Sequence, residues 1–432
     1  MLGQNFLQVN AQGHLTVGGA DTVELAAKYG TPLYVMSEDA IRENCRRYVR
    51  SMQSCYNGRG RVLYASKAFC CKEICRIAVS EGLGLDVVSG GELYTALAAG
   101  ADPELLYFHG NNKTDEELAF AVRAGVGTVI ADNLPELRRL DAIAGAAGKT
   151  VRVLLRVKPG VEAHTHQYIR TGQIDSKFGF ALETGEAMEA AVAAEKAPNL
   201  ELDGLHCHIG SQIFETEPFV HTPEVMMGFM KQLRDRLGRE LRVLNLGGGF
   251  GIKYTEEHDP RPYEAYMESV SASLKAVCEK LGMQLPFVCI EPGRSIVGPA
   301  GITLYTAGSV KEIPGVRTYV GIDGGMTDNP RYALYKSEYT VLAANRAGEP
   351  KDAVITLAGR CCESGDLIGE NLPIQKPREG DIVAVLATGA YNYSMASNYN
   401  RVPRPAVVFV RDGEPRVVVR RETYEDLTAL DE

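Results

Sequence analysis

Lys67 stands just past a short apolar run, residues 61–65, in the stretch Tyr64-Ala65-Ser66-Lys67-Ala68-Phe69. An amine against an apolar wall has its charged form disfavoured, so its pKa falls towards the range in which it attacks or condenses with an aldehyde. The plainer alternative is a charge that snorkels from a strand end into water. Other apolar runs are followed by polar or glycine-rich clusters: Asp86 with Ser89-Gly90-Gly91-Glu92, His109-Gly110-Asn111-Asn112-Lys113, His206-Cys207-His208-Ile209-Gly210-Ser211-Gln212, Gly247-Gly248-Gly249-Phe250-Gly251 and Glu291-Pro292-Gly293-Arg294. Backbone N–H groups at Gly247, Gly248 and Gly249 can approach an anion, and Arg294 adds a cation. The glycines form neither a Walker loop, since no Gly-Lys-Ser/Thr follows, nor a dinucleotide fingerprint, whose spacing is missing. His208 could be a core histidine or could stack on a flat aromatic ring, and Ser211 could bond a phosphate. Glu291 could pair with Arg294, or face a ring nitrogen and keep it protonated. A phosphate, a ring with a basic nitrogen and an aldehyde that takes a lysine describe pyridoxal phosphate, with Lys67 as its Schiff-base partner.

These groups need strands to present them. Eight short apolar runs, at 61–66, 84–88, 105–109, 128–131, 152–157, 202–209, 243–246 and 286–290, alternate with amphipathic stretches such as 116–124, 134–147, 183–196, 223–237 and 263–281. Strands that alternate with helices form parallel β-α units, and eight units over about 250 residues predict a (β/α)8 barrel whose active site lies at the strand C-terminal ends. The polar clusters sit at six of those eight ends and outline one pocket. Beyond residue 300 the rhythm changes to strands at 302–313, 317–322, 339–344, 353–357, 381–386 and 406–419, with Arg411-Asp412-Gly413-Glu414 as a hairpin signal. We therefore expect a barrel over 32–292 and a β domain formed by 1–31 with 293–432. Ser37 should cap the helix that follows 31–36.

The chain has 432 residues, 45% hydrophobic and 23% charged, which is soluble globular composition with core material for two domains. A net charge of −9 without a long basic block argues against nucleic acid or an anionic membrane as partner and favours a small molecule. Residues 1–15 carry no basic segment followed by an apolar core, and no run of about 18 apolar residues occurs, so a cytoplasmic location is expected. The ten cysteines include no C-x-x-C pair and read as free thiols. Cys70, Cys71 and Cys75 read as core packing, with no metal site expected.

The motifs around Lys67, His208, Ser211, Gly247 to Gly249, and Glu291 with Arg294 resemble the fold-type III pyridoxal-phosphate-dependent decarboxylases, most closely the branch acting on meso-diaminopimelate. The resemblance runs on through Asn329-Pro330-Arg331-Tyr332-Ala333-Leu334-Tyr335, Cys362-Glu363-Ser364-Gly365-Asp366 and Gly389-Ala390-Tyr391-Asn392, and covers nearly the whole chain in the family's order. It implies a homodimer with active sites at the subunit interface, and an internal Schiff base at Lys67. It places His208 on the cofactor ring, Ser211 and the glycines on the phosphate with Gly293 and Arg294 close by, Glu291 on the ring nitrogen, and Asp86 among the cofactor contacts. It assigns Arg294, Arg331, Tyr335 and Tyr391 to the substrate, Tyr391 also touching the cofactor. Cys362, as proton donor, and Glu363, as ligand of the substrate amine, come from the partner subunit. Tyr332 departs from the family, which more often has proline there.

The implied reaction is decarboxylation of meso-2,6-diaminopimelate to L-lysine, the last step of lysine biosynthesis. A decarboxylase of ornithine, D-lysine, arginine or carboxynorspermidine would keep every cofactor residue and differ in the distal pocket. A racemase is disfavoured by glutamate, rather than arginine, at the ring nitrogen. A non-catalytic regulatory homologue would not need Lys67, Glu291 and Cys362 together. The loop 160–177, rich in His and Thr, is a candidate lid.

Overall fold

A computed structural model describes residues 3–161 and 175–432, so most of the candidate lid lies outside the described residues. The chain forms two compact units, Asn44–Gly251 with Pro260–Gly293, and Met1–Glu43 with Ile252–Asp259 and Arg294–Glu432.

The first unit is a closed barrel of eight parallel strands: Gly60–Ala65, Gly84–Val87, Leu106–Phe108, Thr128–Ala131, Val151–Lys158, Leu200–His206, Val243–Asn245 and Phe287–Ile290. Each pairs with the next, and the eighth returns to the first through Val288 opposite Gly60. All eight apolar runs of the sequence are these strands. Inside, Leu63, Tyr107, Ile130, Leu154, Val243 and Cys289 form one buried apolar cluster. Side chains alternate across a strand, so two positions further along the same face come Ala65, His109, Asp132, Arg156, Asn245 and Glu291. The polar groups therefore stand on a dry floor.

Helix boundaries follow local signals. Asp115–Ala124 opens on a reciprocal cap between Thr114 and Glu117 and closes on a left-handed Gly125, while Tyr263–Leu281 spans the predicted range. Glu217–Leu237 begins earlier than expected, because Pro218 occupies its first turn and Pro223 lies inside the helix. Parts of two of the six polar clusters serve structure. Ser89 accepts from the Glu92 N–H at 3.2 Å and caps Gly90–Ala98. Lys113, almost wholly buried, donates to Gly110 O, Ile130 O and Glu136 Oε1 at 2.9, 2.7 and 2.8 Å. Replacing Lys113 by methionine strands a buried carboxylate, and should cost about 3–5 kcal/mol in urea or thermal unfolding.

The second unit is built on a sheet in the order Leu367–Ile374, Ala353–Ala358, Arg317–Ile322, Gly301–Ile313, Leu33–Ser37, Ala406–Arg411 and Glu414–Val419. Ile382–Leu386 pairs with both Gly301–Ile313 and Val341–Ala343. The predicted barrel boundary at residue 32 shifts accordingly. Leu33–Ser37 pairs antiparallel with Gly301–Ile313 and parallel with Ala406–Arg411, and all five of its residues are buried there. The barrel closes without it. Ser37 does cap the following helix, Glu38–Tyr56, accepting from the Ala40 N–H at 3.2 Å. The 411–414 hairpin turns on Asp412 and Gly413, both at positive φ, as a two-residue loop between twisted strands requires. The first strands, Leu7–Val9, Leu15–Val17 and Ala20–Asp21, form a separate antiparallel sheet whose Leu7, Leu15 and Val17 join this unit's core.

Candidate active site

At the C-terminal mouth of the barrel, Glu291 is buried and its two oxygens are held from different sides. His206 Nε2 donates to Oε2 at 3.1 Å, and Asn245 Nδ2 donates to Oε1 at 2.6 Å. His109 Nε2 lies 2.9 Å from Oε1 and 3.6 Å from Asp86 Oδ1, and the two imidazoles meet edge to face with centroids 4.8 Å apart. Burial alone would raise the Glu291 pKa, but His109 and His206 outweigh it and hold the carboxyl well below its usual range. Asp86 has no such escape: burial, with the Glu291 charge beside it, pushes it up to about 6 against the pull of His109. Burial lowers His206 to about 4, so its ring is neutral at physiological pH. The site thus carries one firmly ionised carboxylate at its centre.

Lys67 is exposed, on the single 3-10 turn Ser66–Ala68 beyond the first strand rather than in the strand itself. Its charge acts on Asp86 and on His208. Burial, with the Lys67 and Arg156 charges, holds the His208 pKa well below its ordinary value, leaving a neutral imidazole suited to lie against a ring. His208 Nδ1 accepts from the Gly248 N–H at 3.3 Å. Gly248 admits no side chain, because a Cβ would come 2.2 Å from Glu291 O. The loop bearing Ser211 is laced to the glycines by Ile213 N to Gly249 O and Gly251 N to Ile213 O, both 3.0 Å. Gly293 packs on the Lys67 turn, where a Cβ would meet Ala65 Cβ and O at 2.9 Å. The barrel unit therefore brings together Lys67, Asp86, His208, Ser211, Gly247, Gly248, Gly249, Glu291 and Gly293.

Within the second unit, Arg294 and Arg331 converge on one phenol. Arg294 Nη1 donates to Tyr254 Oη at 2.6 Å, and the Arg331 guanidinium lies 5.1 Å from the Tyr254 ring centroid. Arg331 Nη1 also donates to Tyr339 Oη at 2.6 Å, and Arg294 lies 4.6 Å from the ring of Tyr391. Burial would raise the Tyr254 pKa, yet the two cations bring it down. Tyr335 ends the short helix Arg331–Tyr335, partly exposed. Tyr332 donates to Glu370 at 2.6 Å, which gives the departure from proline a local anchor. Cys362 and Glu363 stand exposed on the loop between Gly359 and Asp366.

The stretch 38–298 matches the family described as pyridoxal-dependent decarboxylase, pyridoxal binding domain. Diaminopimelate decarboxylase of Bacillus subtilis strain 168 is 50% identical over 422 residues, covering 98% of this chain and 96% of that protein. The chain belongs to the diaminopimelate decarboxylase family. The Bacillus methanolicus member is 49% identical over 423 residues, with 98% of each chain covered. A crystal structure of the M. jannaschii member in co-complex with L-lysine superposes with a TM-score of 0.92 at 35% identity, covering 100% of this chain and 99% of that one. A lysine/ornithine decarboxylase from Vibrio vulnificus, at 23% identity and a TM-score of 0.76, shares the fold. Family membership makes the chain a carboxy-lyase dependent on pyridoxal phosphate. The residues fit that cofactor: an amine, a neutral imidazole, a side-chain-free glycine loop and a buried anionic carboxylate surround one mouth. No helix among the described residues is long and apolar enough to cross a membrane.

Sequence reasoning gave no role to His109, His206, Asn245, Arg156, Tyr254 or Tyr339. Residues 206 and 208 share a strand face with period two, which was a usable signal for His206. Tyr254 lies in a segment, Ile252–Asp259, that belongs to the second unit although barrel residues flank it in sequence, and no local pattern announces that.

Proposed function

We propose that the chain decarboxylates meso-2,6-diaminopimelate to L-lysine and carbon dioxide, as a homodimer in the cytoplasm. One observation above the others supports the substrate: two buried guanidiniums, Arg294 and Arg331, share the Tyr254 phenol. Such a pair suits a second carboxylate, whereas ornithine or lysine would bring an ammonium against two cations.

Lys67 would supply the amine that holds the cofactor aldehyde. Ser211, the N–H groups of Gly247 to Gly249 and the neighbourhood of Gly293 and Arg294 would hold the phosphate, His208 would lie against the ring, and Asp86 would complete the cofactor contacts. Glu291 keeps a proton on the ring nitrogen. Bound pyridoxal phosphate supplies the electron sink for the bond that breaks when the carboxylate leaves. Arg331, Tyr335 and Tyr391 fix the distal end of the substrate, so that the carboxylate to be lost is presented in one orientation. Glu363 of the partner subunit binds the substrate amine. The partner subunit's Cys362 returns a proton to the carbon that has lost carbon dioxide. No disulfide joins any of the ten cysteines, in keeping with a reducing compartment.

The test offers holoenzyme the meso and LL isomers of diaminopimelate beside ornithine, D-lysine, arginine and carboxynorspermidine. Lysine from the meso isomer alone is the expected result. Comparable kcat/KM on a substrate lacking the second carboxylate would overturn the assignment.

A further inference from the structure

Asn245 is fully buried and its amide faces two ways: Nδ2 donates to Glu291 Oε1 at 2.6 Å, while Oδ1 accepts from the Gly247 N–H at 2.9 Å. An ionised carboxylate can only accept and a backbone N–H can only donate, so this is the one orientation of the amide that satisfies both. A second backbone bond, Glu291 N to Gly247 O at 2.8 Å, runs beside it. The other carboxylate oxygen is taken by His206 Nε2, which must carry its hydrogen there for the same reason, and His206 Nδ1 has no partner among the described residues. From this geometry we infer that Asn245 and His206 are positioning residues for the reaction. Together they hold Glu291 as an aimed anion, and Asn245 sets that carboxylate in register with the first glycine of the phosphate loop.

The inference rests on the reading that Glu291 faces the ring nitrogen and the glycine loop faces the phosphate. Those two ends of one rigid cofactor must be spaced correctly, and a single side chain spans the protein between them. An ionised carboxylate has about four acceptor sites. Two go to these bonds, His109 crowds a third, and capacity remains for the cofactor's N–H. Removing a donor lets the proton settle on Glu291 instead of the ring, because a buried carboxylate without donors has a raised pKa. The effect falls on the electronics and seating of the cofactor, not on the distal pocket for the amino acid.

Asn245→Asp is the sharpest variant. It keeps an acceptor for Gly247 but faces Glu291 with a second carboxylate. His206→Phe removes the other donor, and His206→Gln can restore an amide N–H. Holoenzymes are compared by equilibrium loading with pyridoxal phosphate, by the absorption bands that report the ring's protonation, and by kcat and KM separately. Asn245→Asp and His206→Phe should each weaken loading and lower kcat by about 10- to 100-fold, the scale of one lost hydrogen bond to a charged group. Both should shift the absorption and leave KM little changed, and His206→Gln should recover part of each effect. Glu291→Gln is made in parallel. If it is impaired while Asn245→Asp and His206→Phe load and absorb as the unmodified enzyme does, the inference falls alone. If Glu291→Gln itself changes nothing, the reading of Glu291 fails and takes the inference with it. Should Asn245→Asp not fold, as far-ultraviolet circular dichroism of the apoprotein would show, the His206 pair decides by the same outcomes.

Discussion

Lys67→Ala holoenzyme should turn over at least about 10³-fold more slowly, because a tethered, oriented amine acts at an effective molarity of order 10⁵ M or more. Its position explains why the loss should be chemical rather than structural. The side chain is exposed, and the turn that carries it is fixed by backbone contacts, Ala65 N to Pro292 O at 3.2 Å and the close approach of Gly293. Truncating an exposed side chain shifts stability by no more than about 0.5 kcal/mol, so the thermal midpoint of the apoprotein should hardly move. About 0.1 M methylamine should restore a small fraction of the rate, limited by that same effective molarity. A Lys67→Ala enzyme that kept more than about a tenth of its activity would show that the amine is supplied elsewhere.

The barrel was legible because each of its strands is buried on both faces and therefore reads as a short apolar run, and because the helices between them keep their polar stripe. The β domain was legible where β-branched runs meet a decisive turn, as at Asp412-Gly413. It was not legible at Leu367–Ile374, whose Gly369, Asn371 and Pro373 look like a loop. That strand forms because Ala353–Ala358 supplies the partner, with register shifts that absorb the irregular residues. Leu33–Ser37 could not be placed from sequence, since a short apolar run does not say which of two sheets will pair with it.

The site divides the same way. Residues whose type is unusual for their place, Lys67, Glu291, the glycine triplet and His208, stood out in the sequence as candidates, and the barrel unit brings them to one mouth. Residues whose work is to hold those groups did not. Asn245 ends a run that reads only as strand, and its importance exists solely through bonds to residues 291 and 247. Lys113 is the opposite case: it belongs to a polar cluster at a strand end, yet it is spent on Glu136 and two carbonyls. Period two along the strands separates the cases, because the apolar floor and the polar layer above it keep one face.

Mixing Lys67→Ala with Cys362→Ala subunits should restore activity that neither has alone. Cys362 as general acid should be worth about 10²–10⁴-fold in rate, and its loop is built to present a thiol outwards. Asn400 Oδ1 accepts from the Cys362 N–H at 2.8 Å, while Asp366 accepts from the N–H groups of Cys361 and Met326 at 2.7 and 2.5 Å. A loop clamped in this way loses little conformational freedom when a second surface meets it, so docking is not opposed by ordering. In a twofold dimer each site would pair one chain's Lys67 with the other's Cys362. Random exchange at equal amounts makes half of the dimers mixed, and each mixed dimer has one of its two sites intact. Activity should therefore rise to about a quarter of the unmodified enzyme's. In deuterated water the label at the new carbon–hydrogen bond should lose its stereochemical purity in Cys362→Ala, since solvent then delivers the proton from either face. Verified heterodimers that stayed inactive would place the proton donor in the same chain as Lys67.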